Sequence, residues 1–338
     1  MLYTVSMNRS ERSSIFVEEI WQWYARHKRK LPWRDLCIND DTQRAYQIMV
    51  SEIMLQQTQV ERVKIVYKDF LNRFPSIKDL SSASNKDIIL AWRGMGYNNR
   101  ALRLRDAAQQ ILKYEKRNTK NESSDFDIRA SGFPKGIREL QSLPGIGHYT
   151  AAAIRNFAFN LPTPCIDTNI RRILHRVFIG PENADGTWKK SDRDLLKIAG
   201  EVLDIAVESG DTQNWHAALM DFGSLVCTKR SPKWDICPLT QKGIMKAAYM
   251  VPKYEIRNTK TEPGRMVGSK HIPNRIFRGK VVEELRDSSK GLTIPEIGRR
   301  VCIDWDESEH MQWLESIITA LKKDHLIQMS GKRLVLAD

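Results

Sequence analysis

Apolar residues recur every three to four positions along most of the chain, and the stretches where they do so predict helices. Over residues 14–28, Phe16, Ile20 and Tyr24 stand at i, i+4 and i+8 on one face. Over 59–74, Val60, Val63, Tyr67, Phe70 and Phe74 repeat in the same way and stop before Pro75. The same period predicts further helices at about 44–57, 85–93, 98–116, 137–143, 148–159, 168–178, 190–207, 211–226 and 239–249. No alternating run predicts a strand before residue 250, so the reading is an all-α body. Two stretches lose the period. Residues 118–132 are polar and rich in turn formers, and are expected to form a surface loop. Residues 251–272 are charged, carry Pro252, Pro263 and Gly264, and are expected as a linker between domains.

Beyond the linker the pattern changes. A helix is predicted from about Ile276 to Arg286. Thr293 and Glu296 then form a capping box, with Pro295 in the first turn of a short second helix. A third helix covers about 308–323, with Leu314, Ile317, Ile318 and Leu321 apolar. Leu326-Ile-Gln-Met, the turn Ser330-Gly331 and Arg333-Leu-Val-Leu predict a β-hairpin. Three helices closed by a hairpin make residues 273–338 a winged-helix-like domain. Such modules often bind DNA, and others serve as protein contacts or packing units.

Composition narrows the partners. The chain has 338 residues, enough for two or three domains with sizeable cores. Lys and Arg number 54 against 41 Asp and Glu, a formal net charge of +13 that favours polyanions. No apolar leader follows Met1 and no apolar run reaches membrane length, so a cytoplasmic protein without a membrane partner is expected. The five cysteines, Cys37, Cys165, Cys227, Cys237 and Cys302, are scattered and odd in number, which argues against a disulfide framework.

The candidate chemistry lies inside the helical body. Residues 143–154 read Leu-Pro-Gly-Ile-Gly-His-Tyr-Thr-Ala-Ala-Ala-Ile: the end of a helix, a glycine turn, and a second helix opening at its unpaired N–H groups. Those donors and the positive helix end suit a phosphate. Gly145 and Gly147 would let a ligand's backbone come close without a Cβ in the way. Asp167 follows in Cys-Ile-Asp-Thr-Asn-Ile-Arg-Arg, where it is both a candidate N-cap and a carboxylate available for chemistry. As a cap accepting N–H bonds it is expected to stay ionised. Glu52 is the one carboxylate in the mainly apolar stretch from Ala45 to Leu55. It lies either on a solvated face or in a partly dry pocket, where an acid keeps its proton near neutrality.

Six segments carry a resemblance in a fixed order: Leu-Pro-Trp-Arg at 31–34, Ser-Glu-Ile-Met-Leu-Gln-Gln-Thr at 51–58, Gly-Met-Gly-Tyr at 94–97, Leu-Pro-Gly-Ile-Gly at 143–147, Asp-Thr-Asn at 167–169 and Leu-Met-Asp-Phe-Gly at 219–223. Over about residues 14–250 the chain resembles the helix-hairpin-helix DNA glycosylases (the HhH-GPD superfamily), and within them the MutY-type adenine glycosylases. The resemblance implies a two-lobed catalytic region over 1–250, with a six-helix lobe at about 43–160 and a second lobe from 1–42 plus 161–250. It implies a monomeric base excision repair enzyme acting on double-stranded DNA that holds a mispaired or damaged base. The match to Glu52 would protonate the leaving purine. The match to Asp167 would stabilise the cationic sugar, by charge or brief covalent capture. Asn169 and Tyr149 would hydrogen-bond in that site. Tyr149 stands where strand-cutting relatives carry a lysine that forms a Schiff base, so the resemblance implies a monofunctional enzyme. Gln57 and Tyr97 match residues that enter the duplex, with Met95 assisting from the same loop, and Trp33 and Arg34 match residues near the extruded base.

Two departures accompany the resemblance. Most relatives hold an iron–sulfur cluster through C-x6-C-x2-C-x5-C. Here only Cys227 and Cys237 remain, with Trp234 and Gly243 at the other two positions. No cluster, metal or other cofactor is therefore expected, and Trp234 is expected to fill the space. Where many relatives carry a Nudix-like domain that reads 8-oxoguanine, residues 273–338 look like a winged helix instead, and Ala217 stands where many adenine excisers place Glu or Gln. Adenine opposite guanine or 8-oxoguanine is the leading substrate, and thymine or uracil mispaired with guanine is the alternative. From other classes come a non-catalytic mismatch- or bent-DNA-binding protein, and a winged-helix regulator with a helical sensor. The last leaves both carboxylates unexplained.

Overall fold

The computed structural model describes residues 7–118, 132–250 and 262–338. The loop expected at 118–132 and the first half of the expected linker thus lie almost wholly outside the described residues. Elsewhere the periodic stretches form helices whose starts are set by local capping. Helix α1 (Arg9–His27) begins behind a capping box between Asn8 and Glu11. It is followed by α2 (Asp41–Leu55), α3 (Val60–Arg73), α4 (Ile77–Ser82), α5 (Asn85–Ala91) and α6 (Asn99–Asn118). Helix α7 (Ile137–Gln141) and α8 (His148–Phe159) flank the glycine turn. Then come α9 (Thr168–Leu174), continued by one π-turn over His175–Ile179, and α10 (Asp192–Ser209), α11 (Thr212–Leu225) and α12 (Pro238–Gln241). Helix α4 was not expected. At six residues it is too short to show a period, and its only mark is the Ser76–Asp79 capping box. The helix expected over 239–249 is corrected to the four residues of α12. Gly243, two residues past its end, takes a left-handed φ of +69° and turns the chain away.

Past residue 262, β1 (Gly264–Val267) pairs antiparallel with β2 (Lys270–Pro273), inside the stretch expected as linker. Strands of four residues are too short to show alternation. Next come α13 (Asn274–Arg286), α14 (Ile294–Val301), α15 (Glu307–Lys323) and the expected hairpin of β3 (Ile327–Ser330) and β4 (Arg333–Leu336). Leu292 and Leu334 exchange backbone hydrogen bonds of 3.0 and 2.8 Å, adding a third edge to that hairpin in the manner of a winged helix. Among the described residues, no helix is long and apolar enough to cross a membrane.

The chain divides into two compact units: residues 1–48, 135–142 and 146–257, and residues 49–134, 143–145 and 258–338. This differs from the expected lobes in two ways. Helices α7 and α8 join the first unit, because α8 packs against α11. There the Asn156 amide donates to Thr163 O at 2.8 Å, and Thr212 Oγ1 donates to Asn156 Oδ1 at 2.8 Å. The first unit's aromatic core sets Phe16 edge-on to Phe178 and Trp215, with centroids 5.6 and 5.8 Å apart. The winged-helix-like domain, expected as a separate domain beyond a linker, shares one core with the second unit. Phe277, Val281, Leu285, Leu314 and Ile318 cluster with Ile89 of α5 and Leu102 of α6. Arg286 pins this union, donating to Ile89 O and to Asn98 Oδ1 at 3.0 Å each.

Candidate active site

In the first unit, Asp167 caps α9, its Oδ1 accepting the Ile170 N–H at 2.6 Å. The Asn169 amide donates to Asp167 Oδ2 at 3.2 Å, and Asn169 Oδ1 accepts from Arg172 Nη2 at 2.6 Å. Arg172 also donates to the carbonyls of Gly223 (2.7 Å) and Cys227, which fixes the amide that meets the carboxylate. Gly223 is required for this approach, since a Cβ there would stand 2.6 Å from the Asn169 Cβ. Arg172 and Gly223 were not singled out from sequence as parts of the site. Their marks are the Arg-Arg pair after Asp-Thr-Asn and the glycine closing Leu-Met-Asp-Phe-Gly. Burial pushes the Asp167 carboxyl above its ordinary value, while the Ile170 N–H and the Asn169 amide pull it down. Burial is the larger effect, so the carboxyl lies above its ordinary value despite the cap.

Tyr149 lies half-buried in the first turn of α8, its hydroxyl 4.0 Å from Met220 Sδ. No acidic side chain stands in that turn, and its cap, Gly147, supplies no side-chain bond. A Cβ at Gly147 would meet nothing within 4 Å, so the glycine leaves the helix end open. The Arg34 side chain is 7% exposed and committed to a buried carboxylate: its Nη1 bonds Asp221 Oδ2 at 2.7 Å, while Arg29 Nε donates to Asp221 Oδ1 at 2.6 Å. Trp33 is buried.

In the second unit, Glu52 is 7% exposed on α2, which sets aside the solvated-face reading. Gln57 and Tyr97 are both exposed and both hold a left-handed backbone, with φ of +55° and +47°. Left-handed non-glycine residues cost about 1–2 kcal/mol each and concentrate where function requires them. Met95 is buried, so its side chain supports the Tyr97 loop from within. Gly145, with φ of +78°, brings the hairpin turn against Arg103, whose Cβ would lie 3.2 Å from a Cβ at that glycine.

One residue joins the two strained turns. Arg100 is buried and donates to the carbonyls of Ile53 (3.0 Å), Met54 (3.1 Å) and Gln56 at the end of α2. Its other nitrogen reaches Thr58 Oγ1 (3.0 Å), Met95 O (3.0 Å) and Gly96 O (3.1 Å). The guanidinium also lies over the rings of Trp92 and Tyr97, at 5.5 and 5.7 Å. Burial pulls its pKa down to about 10, still far above neutrality. Arg100 thus neutralises the carbonyl end of α2 and holds the Gln57 and Tyr97 turns in register. Arg100→Met leaves several buried acceptors unpaired, and a loss of about 3–5 kcal/mol is expected in urea unfolding.

The residues after α11 do not fit an iron–sulfur cluster. Cys227 and Cys237 are buried, and burial pushes both thiols up. Arg176 Nη1 approaches Cys227 Sγ at 3.7 Å, and the same guanidinium pairs with Glu182 at 2.7 Å and bonds Thr228 O at 2.8 Å. The Trp234 ring lies 5.8 Å from it. Two cysteines, one of them against a guanidinium already committed to Glu182, do not make the four-thiolate set a cluster needs. Among the described residues, no group of three or more His, Cys, Asp or Glu could hold a metal ion.

Residues 50–199 match the HhH-GPD superfamily of base excision DNA repair proteins. A solved thermostable thymine-DNA glycosylase shares the fold, with a TM-score of 0.57 at 24% identity over 70% of this chain and 97% of its own. The fold and the matched segment are those of helix-hairpin-helix base excision repair proteins. The chain is 34% identical over 282 residues to the adenine DNA glycosylase of Mycolicibacterium smegmatis, covering 83% of each chain. It is 30% identical over 298 residues to that of Mycobacterium tuberculosis, covering 88% of this chain and 86% of the relative. The chain belongs to the adenine DNA glycosylase family of the HhH-GPD superfamily.

Proposed function

We propose that the protein is a monofunctional adenine DNA glycosylase, acting as a monomer in the cytoplasm on duplex DNA with adenine opposite guanine or 8-oxoguanine. The observation that carries this reading is the pair of carboxylates a glycosylase needs, Glu52 buried on α2 and Asp167 partly buried and held by its cap bond at the start of α9. Adenine leaves deoxyribose poorly as an anion. Glu52 donates a proton to the ring as the C1′–N9 bond breaks, and the bonding pair stays with the now neutral base. The sugar becomes cationic, and the Asp167 carboxylate, oriented by Asn169 and Arg172, stabilises that charge. Water adds at C1′ and loses a proton, leaving an abasic site. Tyr149 carries no amine and forms no Schiff base, so the strand stays intact. The exposed, strained Gln57 and Tyr97 suit entry into the stack, which must open before any chemistry.

The test uses full-length protein with A•8-oxoguanine, A•G, T•G and U•G duplexes, followed by alkali. Alkali-dependent breaks are expected at adenine alone, with no break before alkali. Breaks at thymine or uracil instead would assign the enzyme to pyrimidine mispairs, consistent with the apolar Ala217. Gel shifts with no break on any duplex would leave a DNA-binding protein without catalysis.

A further inference from the structure

The second unit holds a groove of about 650 Å3 between the Tyr97 loop and the first helix of the winged-helix-like domain. One wall is the loop over 94–100 with Arg103. The other is α13, with Arg275, Arg278 and Lys280, joined by Arg300 from the end of α14. Six cationic side chains line the groove against two carboxylates, Glu283 and Glu284. Neighbouring acids partly answer three of the cations: Glu262 meets Arg275 at 2.8 Å, Glu284 meets Arg300 at 3.3 Å, and Asp324 pairs with Arg278. Arg103 and Lys280 are exposed and make no ion pair among the described residues.

Three observations give the groove a direction. Arg275 interacts with the hydroxyl of Tyr97, the residue assigned to enter the duplex. Arg103, which lines the groove, also packs against the Gly145 turn. The third concerns α15, which occupies the position that helix-turn-helix modules insert into the major groove. The exposed side chains of its N-terminal two-thirds include Glu307, Glu309 and Glu315, behind Asp306 and an Asp304 paired with Arg265, and its exposed lysines, Lys322 and Lys323, stand only in the last turn. The N-terminal part of α15, the end that would enter a groove, therefore repels DNA, whereas α13 attracts it.

We propose that the groove takes the phosphodiester backbone of the DNA strand adjoining the base pair that Tyr97 enters, so that the C-terminal domain meets DNA through α13 and not α15. The proposal rests on the DNA-directed reading of Tyr97 given above, but not on which base is excised. It is tested by fluorescence anisotropy of full-length protein on an A•8-oxoguanine duplex from about 50 to 200 mM salt. The Arg275→Ala/Lys280→Ala variant changes only exposed side chains, and its melting temperature is measured alongside. The expected result is an affinity about tenfold weaker at low salt. The slope of log Kd against log salt is expected to be shallower by about 1–2, at roughly 0.9 for each phosphate no longer neutralised. Arg275→Lys/Lys280→Arg should restore the slope, and Glu309→Gln/Glu315→Gln should leave it unchanged. A parental slope in the alanine variant overturns the proposal, as does tighter, steeper binding by the α15 variant. If the parent excises normally while the alanine variant keeps its slope, the groove assignment alone fails. If the slope falls but the parent excises nothing, the groove stands and the glycosylase reading fails.

Discussion

Asp167→Asn should lower single-turnover excision of adenine by about 1,000-fold or more, because the developing sugar cation loses the full negative charge that answers it. The substitution isolates charge from structure. Asparagine caps helices about as well as aspartate, so the bond to Ile170 N–H can persist. Stability should move the other way. Burial raises the Asp167 carboxyl above its value in the unfolded chain. The ionised form is therefore disfavoured by folding at neutral pH, and that cost disappears only once pH falls below both values. The asparagine variant should melt above the parent at pH 7, with the gap closing as pH falls through the raised value towards 3.8. Thermal melts at pH 7, 5 and 3.5 test this beside the kinetics. A variant that is fully active, or that is less stable than the parent at pH 7, contradicts the role given to this carboxylate.

Glu52→Gln should reduce the same rate by about 100- to 10,000-fold, the usual range for a positioned general acid. The two side chains are nearly isosteric, and position 52 is buried, so the amide can occupy the same place without supplying a proton. The pH profile separates this from a packing defect. An acid must hold its proton when the base departs, so the parental rate should fall as pH rises through that group's titration. The glutamine variant should be slow and lack that limb. Quenched-flow or manual single-turnover assays across pH 5–9 read both. A glutamine variant that excises adenine at the parental rate removes Glu52 from the mechanism.

The residues that matter most to this site differ in how far the chain alone exposes them. Glu52 and Asp167 stand out because a carboxylate in an apolar or capping context is conspicuous, and Gly145 because a tight turn between helices requires a left-handed residue. Arg100, Arg172 and Arg286 do not stand out. Each is one arginine among many, and its significance lies in carbonyls and amides tens to hundreds of positions away: Ile53 and Met54 for Arg100, Gly223 and Cys227 for Arg172, Ile89 for Arg286. Arg34 shows the converse. The motif points to it as a DNA contact, whereas in the fold it answers the buried charge of Asp221.

Periodicity and capping determined the helices, because a 3.6-residue repeat and an N-cap are local properties written in consecutive residues. They determined the winged-helix-like order of the last 66 residues for the same reason. Only the tertiary structure decided that α8 joins α11 and that the C-terminal domain shares a core with α5 and α6. It alone decided that burial outweighs capping at Asp167, and that a basic groove opens beside Tyr97. Desolvation and charge clustering depend on which distant segments meet, and an apolar stripe states that a face will be covered without stating by what.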